Sequence, residues 1–327
     1  MLILGFETSC DETACAVVKN GRLVLSNVIA TSLKEHRKFG GIIPEIASRR
    51  QLELISAVTQ SSLEKANVSL KNINAIAVTK SPGLIGSLLV GISFARALSF
   101  ATKKPLIEVD HIKAHLYANF LHFKSDTLGD IPKLPAIGLI VSGGHSSLYL
   151  VKSPIDYQLL GQTRDDAAGE AFDKVSRILG LGYPGGPAID RLAKTRTDSP
   201  LRFSCAQMEG THDFSFSGIK TAVLHHHQKN PNPTPDDLAQ IAYSFQNSVV
   251  AILVKKSIAA CLERKIKTLL LGGGVAANSA LRQKLTEEGQ KHGIKIFLPP
   301  MSLCLDNAAM IAGCGYHWLK SQKSSKI

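Results

Sequence analysis

The sequence predicts an α/β protein made of two copies of one α/β plan, and three observations carry that reading. A set of three short strands occurs twice, first as Leu2–Glu7, Ala14–Lys19 and Leu23–Ala30, then as Ala136–Val141, Ser147–Lys152 and Tyr157–Gln162. Each set is followed by a strand, a glycine-containing turn and a helix, the unit from which sheets with covering helices are built. At 327 residues the chain is long enough for two ordinary domains. Internal self-similarity of this kind reads as an old duplication, and two such domains would clasp a ligand in the cleft between them.

The elements follow in order. Leu2–Glu7 is an apolar run ending on a carboxylate, and Asn20-Gly21 supplies a two-residue hairpin turn between the next two strands. Ala75–Val78 leads through Ser81-Pro82-Gly83 into an apolar helix, Ile85–Ser99. The polar segment Lys124–Pro135, with Gly and two Pro, is the best boundary. It divides a first domain, 1–123, completed by a C-terminal helix at about 306–327, from a second, 124–305. In the second, Thr268–Leu271 runs into Gly272-Gly273-Gly274 and a helix, Asn278–Glu288, and Lys229–Pro235 is an internal loop. A last helix is expected over Ala308–Leu319, with a loose tail from Ser321 to Ile327.

Composition narrows the class. Hydrophobic residues make up 44% and charged residues 20%, as in a globular protein. The formal net charge of +12 favours a polyanionic partner such as nucleic acid, though the basic residues are dispersed rather than gathered in a tail. The six cysteines form no Cys-x-x-Cys pair and read as reduced thiols of a cytoplasmic protein. The N-terminus shows no signal-like segment, and the longest uncharged apolar stretch, Ser81–Ala95, is short for a bilayer span, so no membrane role is expected.

The chemistry starts from Asp110-His111-Ile112-Lys113-Ala114-His115. Residues at i and i+4 share a helix face, so both imidazoles can reach one divalent metal. A His-Glu-x-x-His peptidase keeps a general base where this chain has Ile112, so a metal here would grip a substrate rather than hydrolyse a peptide. Asp306 opens the last helix and could cap it or supply a carboxylate to the metal. The tract His225-His226-His227 is discounted, because adjacent helical residues point in different directions.

Three glycine-rich segments could take phosphate or a nucleoside on bare backbone: Ser142-Gly143-Gly144, Gly182–Pro187, and Gly272–Gly274 with Asn278 as cap or ligand. A plain hairpin turn also accounts for the first. None is a Walker loop. Asp165, Asp166, Glu170 and Asp173 crowd one short stretch, which could be a solvated helix face, although Asp173 falls on the apolar side beside Phe172.

Taken together, Glu7–Thr13, His111–His115, Val141–His145, Asp165–Lys174, Gly182–Pro187, Gly272–Asn278 and Asp306-Asn307 resemble the TsaD family (Gcp/YgjD), formerly called O-sialoglycoprotein endopeptidases; the resemblance runs from about residue 2 to 315. It implies an actin-like ATPase fold, with two duplicated RNase H-like domains around a central cleft. It implies transfer of threonylcarbamoyl from threonylcarbamoyl-AMP to the N6 amine of the adenosine 3′ of the anticodon, position 37, in tRNAs reading codons that begin with adenine.

Residue by residue, the resemblance makes His111, His115 and Asp306 ligands of one Fe(2+), with Zn(2+) as the alternative. Ile140, Val141, Ser142, Gly143, Gly144, Asp173, Gly186, Asp190 and Asn278 become adenylate contacts, and ATP or ADP are alternative occupants of the same cleft. Asp11 and Glu12 become acids at the acceptor site, where a carboxylate can take the proton of a weakly nucleophilic amine. Partners implied are tRNA, a smaller paralogous subunit of the same fold (TsaB) and a P-loop ATPase (TsaE), in the cytoplasm or an organellar matrix. The chain departs from the family pattern at Ile140 and His145, which point to the bacterial or organellar branch. It also carries Gln51 in place of a common histidine, which leaves that position without an expected role. An actin-like kinase, a metallopeptidase and a non-catalytic scaffold are the alternatives.

Overall fold

The computed structural model describes residues 1–125 and 130–324. The expected boundary Lys124–Pro135 therefore lies partly outside the described residues. The chain divides into two compact units: Met1–Ile131 with Pro154–Asp156 and Pro300–Ile327, and Pro132–Ser153 with Tyr157–Pro299.

The first unit begins with β1 (Leu2–Glu7), β2 (Glu12–Lys19) and β3 (Leu23–Thr31), an antiparallel meander. Asn20 and Gly21 at φ 52° and 75° make the turn their types foretell. Helices α1 (Leu33–Arg37) and α2 (Pro44–Lys65) follow, then β4 (Ala75–Ser81), α3 (Ile85–Thr102), β5 (Leu106–Asp110), α4 (His111–Tyr117) and a short β6 (His122–Phe123). The sheet order is β5-β4-β1-β2-β3-β6, with β4 and β5 parallel to β1.

The second unit repeats the plan. It holds β7 (Ala136–Val141), β8 (Ser146–Ser153), β9 (Asp156–Gln162), α5 (Ala168–Ile178), α6 (Gly185–Ala193), α7 (Ser217–Lys229), α8 (Pro235–Glu263), β10 (Thr268–Gly272), α9 (Ser279–His292) and β11 (Lys295–Phe297). Its sheet order is β11-β10-β7-β8-β9. Reversed, and leaving aside the short edge strand β6, both sheets read third, second, first, fourth and fifth strand, the structural counterpart of the sequence repeat. The long helix α8 is capped by Thr234 with Pro235 at its first position, and Phe245 on it meets Phe172 edge to face, ring centres 5.0 Å apart. By length and composition α3 and α8 could each cross a bilayer, but α8 is a largely buried core helix of its unit.

The last helix, α10 (Ala308–Ser324), belongs to the first unit and packs on β1, β2 and β4. The tail expected from Ser321 thus continues as helix to Ser324, and 325–327 lie outside the described residues. Leu4 and Phe6 of β1 point into the core shared with Ile55 and Val58 of α2 and Ala95 of α3. Gly5 faces the opposite side, where a Cβ would stand 2.5 Å from the Ala308 carbonyl and 2.8 Å from Ala312 Cβ. Only a bare backbone lets α10 start so close to β1, and that approach delivers Asp306 to the first unit's chemistry.

Candidate metal centre and acid loop

Helix α4 starts where β5 ends, with the Asp110 side chain accepting from the Lys113 N–H as its cap. The next turns carry His111 and His115, both nearly excluded from solvent. Their Nε2 atoms lie 3.2 Å apart, and Asp306 Oδ1 is 3.5 Å from the first and 3.2 Å from the second. Donor atoms about 2.0–2.2 Å from one ion at tetrahedral or right angles stand roughly 2.8–3.6 Å from each other, so these separations fit three ligands sharing an ion. Two His and one carboxylate suit non-haem Fe(II), and Zn(2+) takes the same donors. Asp306 does not cap α10 as one reading of the sequence had it. Asn307 does, its Oδ1 accepting from the Met310 N–H at 3.0 Å. That leaves the Asp306 carboxylate for the histidines. Ile112 is buried in the core.

Glu7 is the residue that sequence reasoning passed over. It ends β1 with no exposed surface, and its Oε2 lies 2.9 Å from His111 Nδ1. Oε1 accepts from the Ser9 N–H and Oε2 from Thr79 Oγ, both at 2.5 Å. A carboxylate so placed keeps a proton on Nδ1 and leaves Nε2, which faces Asp306 and His115, as the nitrogen that gives up its proton to take a metal. A carboxylate ending an apolar strand must be paired when buried, and that was the available signal. Burial pushes the His111 imidazole down, but the opposing pull of Glu7 and Asp306 wins and raises it to about 9. Asp306 is pushed up by burial and more strongly down by His111 and His115, to about 2.

The segment between β1 and β2 carries the acids. Asp11 is buried at its bend, and Glu12 is the first residue of β2 rather than part of a turn. Burial, then Asp306, then Asp11 hold the Glu12 carboxyl well above the usual range. Burial and the same acids push the neighbouring Cys10 thiol up as well. Three tethers fix the loop. Ser9 Oγ sits 3.2 Å from His111 Nδ1. Ser32 donates to the Asp11 carbonyl from both its N–H and its Oγ, at 3.2 and 2.9 Å. Gln51 Nε2 donates to the Cys10 and Glu12 carbonyls at 3.0 and 2.8 Å. The position that lacked an expected role is thus a clamp on the acid loop.

The second unit gathers the glycine segments. Ser142–Gly144 is a hairpin turn closed by Ser142 N–H to the His145 carbonyl at 2.7 Å, and Gly169 of α5 packs on its Ser142 carbonyl. Ile140 and Val141 are buried in β7 and paired with Ser147 and Ser146 of β8, Ile140 also lying beside Gly272 of β10. Gly273 has φ +90°, and a Cβ there would stand 2.4 Å from the Val141 carbonyl, which sets the Gly272–Gly274 turn against the end of β7. Open space lies over Gly143, Gly144 and Gly186.

Other predicted contacts are already engaged. Gly185 and Gly186 form the first turn of α6 rather than a loop, and Asp173 accepts from the Gly185 N–H at 2.7 Å; burial raises its carboxyl. Asn278 caps α9 through Oδ1 and gives its Nδ2 to Gln246 at 2.7 Å. Asp190 accepts from Ser279 Oγ and pairs with Lys194. Asp165 and Asp166 precede α5 and are not a solvated helix face. Asp165 binds Ser215, Phe216 and Ser217, and Asp166 bridges Lys174 and Lys220.

The repeated sheet plan and the donor set define an actin-like α/β protein with a candidate metal centre. Solved structures share this fold at low identity. HypF of T. kodakarensis superposes at TM-score 0.63 and 15% identity over 98% of this chain and 48% of that one. Component A of the (R)-2-hydroxyglutaryl-CoA dehydratase of Acidaminococcus fermentans gives 0.55 and 15%, over 98% and 99%. The family profile described as "TsaD: tRNA N6-adenosine threonylcarbamoyltransferase" matches residues 23–313, and the chain belongs to that family. The relative of that name in Clostridium botulinum (strain 657 / Type Ba4) is 50% identical over 326 residues, covering 99% of this chain and 94% of that protein. The one in Caldicellulosiruptor saccharolyticus is 50% identical over 329 residues, covering 99% and 95%.

Proposed function

We propose that this chain transfers the threonylcarbamoyl group of threonylcarbamoyl-AMP to the N6 amine of adenosine 37 in tRNAs that read codons beginning with adenine. The observation that carries the mechanism is the tether between the three-donor set and the acid loop, Ser9 Oγ to His111 Nδ1 at 3.2 Å. His111, His115 and Asp306 would hold one Fe(2+), or Zn(2+), which would supply a Lewis acid able to polarise a bound oxygen. The N6 amine attacks the carbamoyl carbon, AMP departs with the bonding pair, and the amine proton goes to a carboxylate. Asp11 or Glu12 is that acceptor; burial and the neighbouring Asp306 and Asp11 raise the Glu12 carboxyl, so that once ionised it is a stronger base than an ordinary carboxylate.

The adenylate is proposed to lie on the open backbone of Gly143, Gly144 and Gly186 in the second unit. The positive net charge suits tRNA, and the adenine would be unstacked to react. A smaller paralogue of the same fold and a P-loop ATPase are the proposed partners. The exposed Leu52, Ile85 and Leu89 on α2 and α3 are the proposed seat of the paralogue. A cytoplasmic or organellar-matrix location is proposed with them.

The test is single-turnover transfer with purified threonylcarbamoyl-AMP and tRNA, with and without chelator. His111→Ala should lose bound metal and transfer together while still folding, at a lower melting temperature because Glu7 is left buried without its imidazole partner. Full transfer by a metal-free His111→Ala preparation refutes the metal assignment. A wild-type rate in both Asp11→Ala and Glu12→Ala refutes the proton-acceptor role.

A further inference from the structure

From the exposed side chains of α1 and the residues after it, we infer a single-stranded-RNA contact built on Lys34, Arg37, Lys38 and Phe39 beside the acid loop. It extends the tRNA reading above by naming a surface that holds the substrate. Lys34, Arg37 and Lys38 are exposed and make no ion pair among the described residues. Phe39, next in the chain, is 58% exposed. An aromatic face among unpaired cations is the arrangement that stacks an unpaired base while the cations meet its phosphates.

Other exposed lysines could offer as much charge. This segment differs in being locked to Asp11. Its one buried polar side chain, His36, is fully excluded from solvent. His36 Nδ1 lies 3.2 Å from the Ile43 N–H, which donates to it, so the proton sits on Nε2, 3.0 Å from Ser32 Oγ. That hydroxyl donates onward to the Asp11 carbonyl at 2.9 Å. A chain of three hydrogen bonds therefore runs from the end of the exposed loop, through its buried underside, to the backbone of a proposed catalytic acid.

The neighbouring helix supports the same register. Arg50 of α2 reaches Glu35 of α1 at 3.9 Å, and Gln51 beside it holds the Cys10 and Glu12 carbonyls. With a rise of about 1.5 Å per helical residue, Phe39 sits on the order of 10 Å along the chain path from Ser32. A base stacked there is a near neighbour of one presented to Asp11. The cations position, and the aromatic ring selects for unpaired bases.

The test uses the full chain with its reconstituted partners and measures tRNA affinity at several salt concentrations, with KM and kcat for transfer in parallel. Phe39→Ala should weaken tRNA binding about fivefold or more, and Phe39→Trp should restore it. Arg37→Glu with Lys38→Glu should also weaken binding and flatten the slope of log affinity against log salt by about one to two. In both, kcat at saturating tRNA and metal content stay at wild-type values, whereas Lys65→Glu, an exposed charge change far along α2, changes neither affinity nor slope.

Wild-type affinity and slope in the Phe39→Ala and Arg37→Glu/Lys38→Glu variants overturn the inference. So does a loss of metal or of melting temperature that accounts for the weakening. Loss of partner assembly with unchanged tRNA affinity would assign the surface to a protein and likewise overturn it. The binding measurement needs no turnover, so a failure of the transfer chemistry proposed above would show separately, as an inactive wild type.

Discussion

Replacing Glu7 with Gln changes one charge and almost no volume, yet it should disable the metal centre. The Glu7 carboxylate accepts from His111 Nδ1, from Thr79 Oγ and from the Ser9 N–H. A Gln side chain can keep its oxygen on Ser9. Its NH2 must then face His111 Nδ1 and Thr79, and an NH2 is only a donor. Nδ1 must become the acceptor, so the imidazole proton moves to Nε2, the atom 3.5 Å from Asp306 and 3.2 Å from His115 Nε2. The nitrogen that should bind metal is now protonated. Loss of an outer partner of this kind costs about 10–100-fold in metal affinity, or about 1.4–2.8 kcal/mol. Competition against a chelator of known affinity measures it, with nitrogen-15 imidazole NMR reading the tautomer. Thr79→Val, which removes a neighbour of Glu7 but not the carboxylate, should cost much less. Wild-type metal affinity in Glu7→Gln, or an unchanged tautomer at a pH where the imidazole is neutral in both proteins, refutes the reasoning.

Metal affinity should rise about tenfold per pH unit until His111 loses its proton near pH 9, then level off; a pH-independent affinity between 6 and 8 contradicts this. In the metal-free protein the same raised imidazole adds stability that is fully present below pH 6.5 and lost as pH rises through about 9. Asp306, depressed to about 2, adds stability present above pH 3.8 and lost as pH falls through about 2, and melting temperatures across both windows should follow. Gln51→Ala removes two donors from buried carbonyls and should cost about 1–3 kcal/mol and slow transfer, with metal content unchanged; an unaltered urea midpoint counts against the clamp. Gly273→Val should lower the melting temperature, because its Cβ meets the Val141 carbonyl at a positive φ, whereas Gly144→Val, opening on empty space, should weaken adenylate binding with no loss of stability. Equal melting temperatures for the two glycine variants would undo that distinction.

The α/β class and the duplicated plan were legible because strand and helix periods differ and because the repeat makes each half a control on the other. The His111–His115 pair was legible from helical spacing alone, and its closeness to Asp306 became expected through the family resemblance. Lost to the sequence were roles set by tertiary neighbours. Whether Asp306 or Asn307 caps α10 depends on a shift of one residue, which propensity cannot resolve. Gln51 looked like a lapse from the family pattern, but its amide meets two carbonyls some forty positions earlier. The acidic run near Asp165 suggested one solvated face. Asp165 and Asp166 instead reach partners about fifty residues ahead, which no local window contains.

The first unit is written at both ends of the chain, and the second is an insertion within it. During synthesis the ribosome releases His111 and His115 long before Asp306, so the growing polypeptide can offer a metal only an incomplete set of donors. The entire second unit emerges in between and can fold first. A ribosome that stops short of codon 306 leaves a protein with every glycine loop and both histidines but no carboxylate to complete the set. On the proposed ligand set, metal loading would therefore require translation to pass residue 306.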